Sequence, residues 1–366
     1  MWRLAPFKDQ GDEVDARNIL VIKLRYIGDV LLATPALRAL REYYPTAKLT
    51  IMVNQGTEDM VKYHSDLHDV LVVERSGIAA QLRALHQVRQ RRFDCVIDLT
   101  DGDRSAILSW CSGAPVRIGF NDEHRWRGRL YSTIISAGPT IVHRVERDLA
   151  ALSPLGIASK SGPLVLHTSK EDEDAADRLL QEFGVMGADG SLAKPLVILH
   201  PGARYWFKAW PAERFAVLAD RLSETYGCRI LLGGGAQDVE IAHAICGLAK
   251  SSPIVLAGRA TLLQFAAVLK RCALFVGNDN GAMHMAAAVG TPVVGLFGPS
   301  NPLEWGPQGQ RVSVIYKELD CRQCFHPTCF RGEENCMRQI SVDEVLDSCR
   351  RMAVLNHPPG KTPTNG

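Results

Sequence analysis

ILVIKLRYIGDVLLATPALRAL, residues 19–40, sets the reading of the whole chain. Its first six residues are a continuous run of β-branched and other apolar side chains around Lys23. That is the pattern of a strand covered on both faces. Gly28 and Asp29 follow, where the chain must leave the strand. Thr34 before Pro35 reads as the N-cap and first residue of a helix, which makes the stretch from Asp29 a separate turn or a kink. LTIMV (residues 49–53), VLVV (70–73) and FDCVIDL (93–99) repeat the buried-strand pattern, with helical spacing from Ile78 to about Arg91. Strands alternating with helices imply parallel βαβ units.

The middle of the chain is less regular. Residues 112–139 are rich in Gly, Pro and Arg and read as loops around a site. HRVERDLAALSPLG (143–156) reads as a helix ending at Pro154. SKEDEDAADRLLQEFGV, starting at Ser169, reads as an amphipathic helix with Ser169 as its N-cap. A second alternation then begins: PLVILH (195–200), CRILLGGG (228–235), ALFVGN (273–278) and, as the last buried strand, TPVVGLFGP (291–299). Helices are expected from near Pro211, from about Asp238 and in ATLLQFAAVLKRC. The fold class is therefore α/β, with two Rossmann-like domains spanning residues 18–165 and 190–345. Residues 1–17 and 355–366 are expected to be flexible tails.

At 366 residues the chain is long enough for two cores. A 46% hydrophobic and 22% charged composition fits a soluble globular protein and excludes disorder or a membrane bundle. The net charge of +2 argues against nucleic acid as the main partner. No run of about 18 apolar residues is present to span a bilayer. The first residues, MWRLAPFKDQGDEVDARN, lack the apolar core of a secretory signal, so the expected compartment is the cytoplasm. The charge is unevenly placed. From Arg75 to Ala150 there are twelve Arg, no Lys and eight acids, with Arg125, Arg127 and Arg129 almost adjacent. Arginine without lysine suits bidentate capture of phosphate or carboxylate. Internal ion pairs on a solvated surface explain the same pattern equally well.

Four segments carry chemistry. In GNDNGAMHMAAAVGTPVVGLFGP (277–299) a strand ends and Asp279, Asn280 and Gly281 turn into a helix. The free N–H groups of that helix start, near Ala282 and His284, form an anion cradle. Asp279 as a plain cap, with His284 packed, is the simpler alternative. In HPGARYWFKAWP (200–211) the small residues Gly202 and Ala203 let a ligand approach the backbone. Lys208, at a helix start, suits an external anion; Trp206 and Trp210 read as packing residues. In the opening motif, Asp29 follows a buried strand and could act as a general base or as an N-cap, while Lys23 and Arg25 could hold anionic groups. Finally, Cys321, Cys324, Cys329 and Cys336 are spaced C-x2-C-x4-C-x6-C, compatible with a metal knuckle in which His326 could replace one ligand, or with inert thiols or a disulfide. LLGGGAQDVE lacks the spaced-glycine dinucleotide fingerprint.

Taken in order, VIKLRYIGDVLLATPALRALREYYPTAKLTIMV, HRVERDLAALSPLGI, HPGARYWFKAWPAERFAVLADRL, GNDNGAMHMAAAVGTPVVGLFGPSNPLEWGP and the late cysteine segment resemble the ADP-heptose:lipopolysaccharide heptosyltransferases, glycosyltransferase family 9, nearest the heptosyltransferase III type. The resemblance runs from about residue 19 to 346. It implies a GT-B fold, two Rossmann-like domains facing an interdomain cleft, and an inverting transfer of heptose from ADP-heptose to a hydroxyl of the lipopolysaccharide inner core. No cofactor or catalytic metal is implied. By the same resemblance Asp29 falls on the catalytic base and Lys208 on the lysine that neutralises the donor diphosphate. Asp279, Asn280, Gly281, Ala282 and His284 fall on the donor-binding turn. Gln237 stands where relatives often carry an acid near the nucleoside, and Ala203 and Arg204 replace hydroxyl residues, so Gly202, Ala203 and Arg204 would offer backbone N–H groups or the Arg204 side chain. Lys23, Arg25, Arg125, Arg127 and Arg129 would meet an anionic glycolipid acceptor, with peripheral contact at the inner face of the cytoplasmic membrane. Alternatives are another nucleotide sugar on a capsule or protein acceptor, a Rossmann oxidoreductase, and a non-catalytic sugar-nucleotide-binding protein.

Overall fold

The structure, a computed structural model, describes residues 16–136, 142–158, 162–321, 324 and 329–352. The C-terminal tail, most of the N-terminal tail and His326 lie outside the described residues. The chain divides into two compact units between Gly162 and Pro163.

The first unit comprises β1 (Asn18–Lys23), α1 (Ile27–Leu32), α2 (Thr34–Tyr43), β2 (Lys48–Asn54), β3 (Asp69–Val73), α3 (Ile78–Gln90), β4 (Cys95–Asp98), α4 (Asp103–Cys111), β5 (Val116–Phe120), β6 (Thr133–Ile135) and α5 (Arg144–Ala150). Its six strands are all parallel in the order β3-β2-β1-β4-β5-β6. On one face Leu20 and Ile22 of β1 pack with Ala84 and Val88 of α3 and Leu108 of α4. α1 and α2 are separate helices because of Pro35. With no N–H, Pro35 leaves the Leu31 carbonyl without its helical donor, and the Thr34 hydroxyl donates to it instead at 2.7 Å. The same device ends the helix expected over 143–156. The Ser153 hydroxyl donates to the Ala150 carbonyl at 2.9 Å, the acceptor that Pro154 cannot serve. The α-helix therefore stops at Ala150, and a 3-10 turn at Ser153–Leu155 follows.

The second unit comprises α6 (Lys170–Glu182), β7 (Leu196–His200), α7 (Ala212–Tyr226), β8 (Arg229–Leu232), α8 (Val239–Leu248), β9 (Ile254–Val255), α9 (Leu262–Arg271), β10 (Leu274–Asn278), α10 (Gly281–Ala288), β11 (Val293–Phe297), α11 (Pro302–Trp305), β12 (Val312–Tyr316), α12 (Cys336–Gln339) and α13 (Val342–Arg351). Its strands run parallel in the order β12-β11-β10-β7-β8-β9. That is the first sheet's order over again, with β7 in the place of β1. Ser169 caps α6 as expected, and Asp172 reaches back to its N–H to close a reciprocal box. α6 lies outside both expected domain spans but packs on α9.

The strands that sequence reading passes over are β5, β6, β9 and β12. All but β5 are short or half-exposed strands toward a sheet edge, so they lack a long apolar run. β11 is the last buried strand, as expected, and the half-exposed β12 follows it at the sheet edge. Parts of the middle stretch read as loops are strands as well: β5 and β6 extend the first sheet. No helix among the described residues is long and apolar enough to cross a membrane.

Candidate active site

Each sheet reverses its strand order once, between β1 and β4 in the first unit and between β7 and β10 in the second. Loops leaving the carboxyl ends of such neighbouring strands diverge and leave a crevice for ligands. Lys23, Arg25 and Asp29 follow β1, Gly202 to Lys208 follow β7, and Asp279 to His284 follow β10, whereas Gln237 follows β8 and Arg125, Arg127 and Arg129 follow β5.

In the first unit, Lys23 ends β1 and Asp29 is the third residue of α1. Asp29 is half-buried, and its Oδ2 accepts the Tyr26 N–H at 3.3 Å. The general-base and capping readings thus fall on one carboxylate, which keeps acceptor capacity beyond that single bond. Arg25 is exposed and pinned: Nε and Nη2 donate to the Thr100 carbonyl at 2.9 and 2.7 Å, leaving Nη1 outside those bonds. Arg125 and Arg129 are also exposed, and Arg125 pairs with Glu123 at 3.2 Å.

Two of the five cations expected to meet an acceptor have a different place. Lys23 is 3% exposed, and its Nζ donates to Asp148 Oδ2 at 2.6 Å and to the Leu99 carbonyl at 3.1 Å. Arg127 is 1% exposed and reaches Asp101, Asp103 and Glu123 at 2.8, 3.4 and 3.2 Å. Guanidinium and ammonium groups held this deep among carboxylates are structural. Asp101 is the hub: one oxygen accepts from Arg127, and the other from Arg147 at 2.6 Å. Its φ of +57° lies in the left-handed region, a backbone cost that the two ion pairs offset.

In the second unit, Lys208 and Asp279 meet across the β7–β10 switch point, with Nζ 2.7 Å from Oδ2. Both remain partly accessible, at 16% and 10% of the side chain. Asn280 is the N-cap of α10. Its Oδ1 accepts from Ala282 and Met283, and its Nδ2 donates to the Gly202 carbonyl at 2.7 Å and to His200 Nδ1 at 3.1 Å. Every hydrogen-bonding position of that side chain is filled. The cap takes two N–H groups of the expected anion cradle and leaves that of Gly281 outside it. Burial pushes the His200 imidazole below its usual range, so it stays neutral and accepts from Asn280.

Gly202 also differs from expectation. The space over its Cα is taken by the Asp238 carboxylate: a Cβ there would lie 2.5 Å from Oδ1. Asp238, 8% exposed, accepts the Gly235 N–H at 2.8 Å and the exposed Gln237 side chain at 3.1 Å. An acid therefore sits beside the position where Gln237 replaces one, but it points into the loop packing. Ala203 is half-buried, Arg204 is exposed with its guanidinium over the Tyr205 ring, and His284 is buried at 4%. Trp210 packs as expected, fully buried with Nε1 donating to the Ile340 carbonyl at 2.9 Å. Trp206 does not: it is 58% exposed, edge-on to Phe207.

Sequence reading missed Asp148, Asp101, Asp238 and Asn278. Asn278 is fully buried and ties the two loops, accepting the Trp210 N–H at 3.0 Å and donating to the Pro201 carbonyl at 2.7 Å. The available signal for Asn278 was a polar residue at the end of an otherwise apolar strand, Leu274–Gly277.

The late cysteine segment is described only in part, without His326. Among the described residues no three or more His, Cys, Asp or Glu side chains are placed to hold a metal ion. Arg331 Nε donates to Cys321 Sγ at 3.0 Å, putting a fixed cation at that sulfur. Burial pushes the Cys336 thiol up, and Cys324 and Cys329 add to the rise.

The chain matches glycosyltransferase family 9 (heptosyltransferase) over residues 81–334. It belongs to that family. This glycosyltransferase is 29% identical over 298 residues to lipopolysaccharide heptosyltransferase 3 of Escherichia coli K12, covering 79% of its own length and 85% of the relative's. It is 22% identical over 351 residues to the lipopolysaccharide core heptosyltransferase OpsX of Haemophilus influenzae, covering 93% and 98%. In three dimensions the family 9 glycosyltransferase from Veillonella parvula superposes with a TM-score of 0.83 at 25% identity, over 94% of this chain and 99% of that one. E. coli heptosyltransferase WaaC with ADP superposes at 0.70 and 21% identity, covering 92% and 99%. The two doubly wound units of this family 9 member are of the GT-B class.

Proposed function

We propose that this enzyme moves a heptose from ADP-heptose to a hydroxyl of the lipopolysaccharide inner core, inverting the anomeric centre in a single displacement. The first unit takes the acceptor and the second the donor. The observation that carries this reading is the Lys208–Asp279 pair at the start of α10, at the switch point of the second sheet, in a family 9 chain. Relatives named lipopolysaccharide heptosyltransferases and WaaC structures with ADP and with ADP-2-deoxy-2-fluoro heptose support the donor and acceptor.

In this mechanism Asp29 takes the proton of the acceptor hydroxyl as its oxygen attacks the anomeric carbon. ADP leaves with its growing charge met by Lys208 and the Gly281 N–H. Asp279 keeps Lys208 aimed at the switch point before the diphosphate arrives. The proposed reaction draws on side chains and backbone alone. Arg25, Arg125 and Arg129, all exposed, would meet the anionic groups of a glycolipid acceptor at the cytoplasmic face of the membrane.

Incubating the protein with ADP-heptose and truncated core glycolipids, then weighing the products, tests the reading. A product heavier by one heptose is expected. Product formed only from UDP- or GDP-sugars overturns the donor. Asp29→Asn should cut turnover on the order of 10²–10⁴-fold while ADP-heptose binding stays near normal. Lys208→Ala should weaken ADP binding about tenfold or more and leave binding of free sugar unchanged, as measured by calorimetry.

A further inference from the structure

We propose that Asp148 is a positioning residue that keeps the buried ammonium of Lys23 from capturing Asp29. The proposal rests on reading Asp29 as the general base. Lys23 closes β1, six residues before Asp29, and is almost wholly buried. A charge that deep requires a counterion. It has one in Asp148, 1% exposed on α5, which packs against α1, the helix that carries Asp29.

The pairing uses only half of Asp148. Oδ2 lies 2.6 Å from Lys23 Nζ, whereas Oδ1 is buried with no hydrogen-bond partner among the described residues. An orphaned buried carboxylate oxygen costs stability and calls for an explanation. The arrangement makes sense as a contest for one ammonium: Asp148 on α5 holds it, and α5 packs against α1, which carries Asp29. Burial pushes the Asp148 carboxyl up, Lys23 and Arg147 oppose the rise, and the negative charge of Asp29 adds to it. Asp29 and Asp148 therefore share one local field. Asp148 holds the ammonium, and Asp29 is left with the single Tyr26 N–H bond and a lone pair for the acceptor proton. Without the Asp148 charge, Lys23 turns to Asp29 on the adjoining α1. A lysine-bound carboxylate is a weaker base and is turned from the substrate.

The test is steady-state kinetics of the full chain with ADP-heptose and a truncated core glycolipid. Asp148→Asn should lower kcat about 100-fold with the KM for ADP-heptose within about twofold of normal. Lys23→Met/Asp148→Leu replaces the pair by apolar groups, a change that buried ion pairs tolerate. It removes the competing cation and should recover kcat about tenfold or more over Asp148→Asn. A crystal structure of Asp148→Asn should show the Asp29 carboxylate bonded to Lys23 Nζ. A double variant no faster than the single, near-normal kcat in Asp148→Asn, or Asp29 still on the Tyr26 N–H in that crystal overturns the proposal. Failure of the base reading looks different: Asp29→Asn would then turn over normally, whatever the crystal shows of Lys23.

Discussion

A glycine beside a ligand site invites the reading that the ligand needs the room. At Gly202 it is Asp238 that fills the room. Gly202→Ala should therefore displace Asp238 and its bond to the Gly235 N–H, costing about 1–3 kcal/mol by urea unfolding. A loss of ADP affinity with unchanged stability would refute that assignment. Sequence identified Lys208 and Asp279 individually, because each follows a strand in a recognisable motif. It did not pair them, since a contact across 71 residues exists only once the strand order brings β7 beside β10. The arginine triplet shows the same gap. Arg125 and Arg129 are exposed while Arg127 turns inward, a choice set by acids at 101, 103 and 123 that no spacing within the triplet encodes.

Helix pairs carry their own electrostatics. α6 and α9 are joined through Glu173, which accepts from Thr168, from Lys270 at 2.7 Å and from Arg271 at 2.6 Å. Burial alone would raise the Glu173 carboxyl, but these donors outweigh it and hold the group at about 2, against 4.5 for a free side chain. The folded form binds its proton later than the unfolded one. The stability from Glu173 is thus complete above about pH 4.5 and is lost as pH falls toward 2. Glu173→Gln should lower the urea midpoint at pH 6 and flatten its decline between pH 4.5 and 2; a parallel decline in both proteins would contradict the linkage. α6 itself was readable, because its cap box and amphipathic spacing are local signals. β9 and β12 were not, because their pairing partners, rather than their own residues, make them strands.

Two sheets of the same strand order, each with its own hydrophobic core, make two units of folding. Calorimetry should show two unfolding steps, and ADP should raise only the one belonging to the second unit. At one hundred times its dissociation constant the gain is about 2.7 kcal/mol. Lys208→Ala, binding ADP about tenfold more weakly, should cut that shift to about half at the same ADP concentration. The repeated alternation of strand and helix made this two-part architecture visible in the sequence. Within the first unit, however, the two ends of one interaction are far apart in time. Lys23 leaves the ribosome 125 residues ahead of the carboxylate that neutralises it. Until α5 emerges, the central strand of a nascent sheet carries an uncompensated charge, so translation itself delays closure of the turn that carries Asp29 until the last helix of its unit has been made.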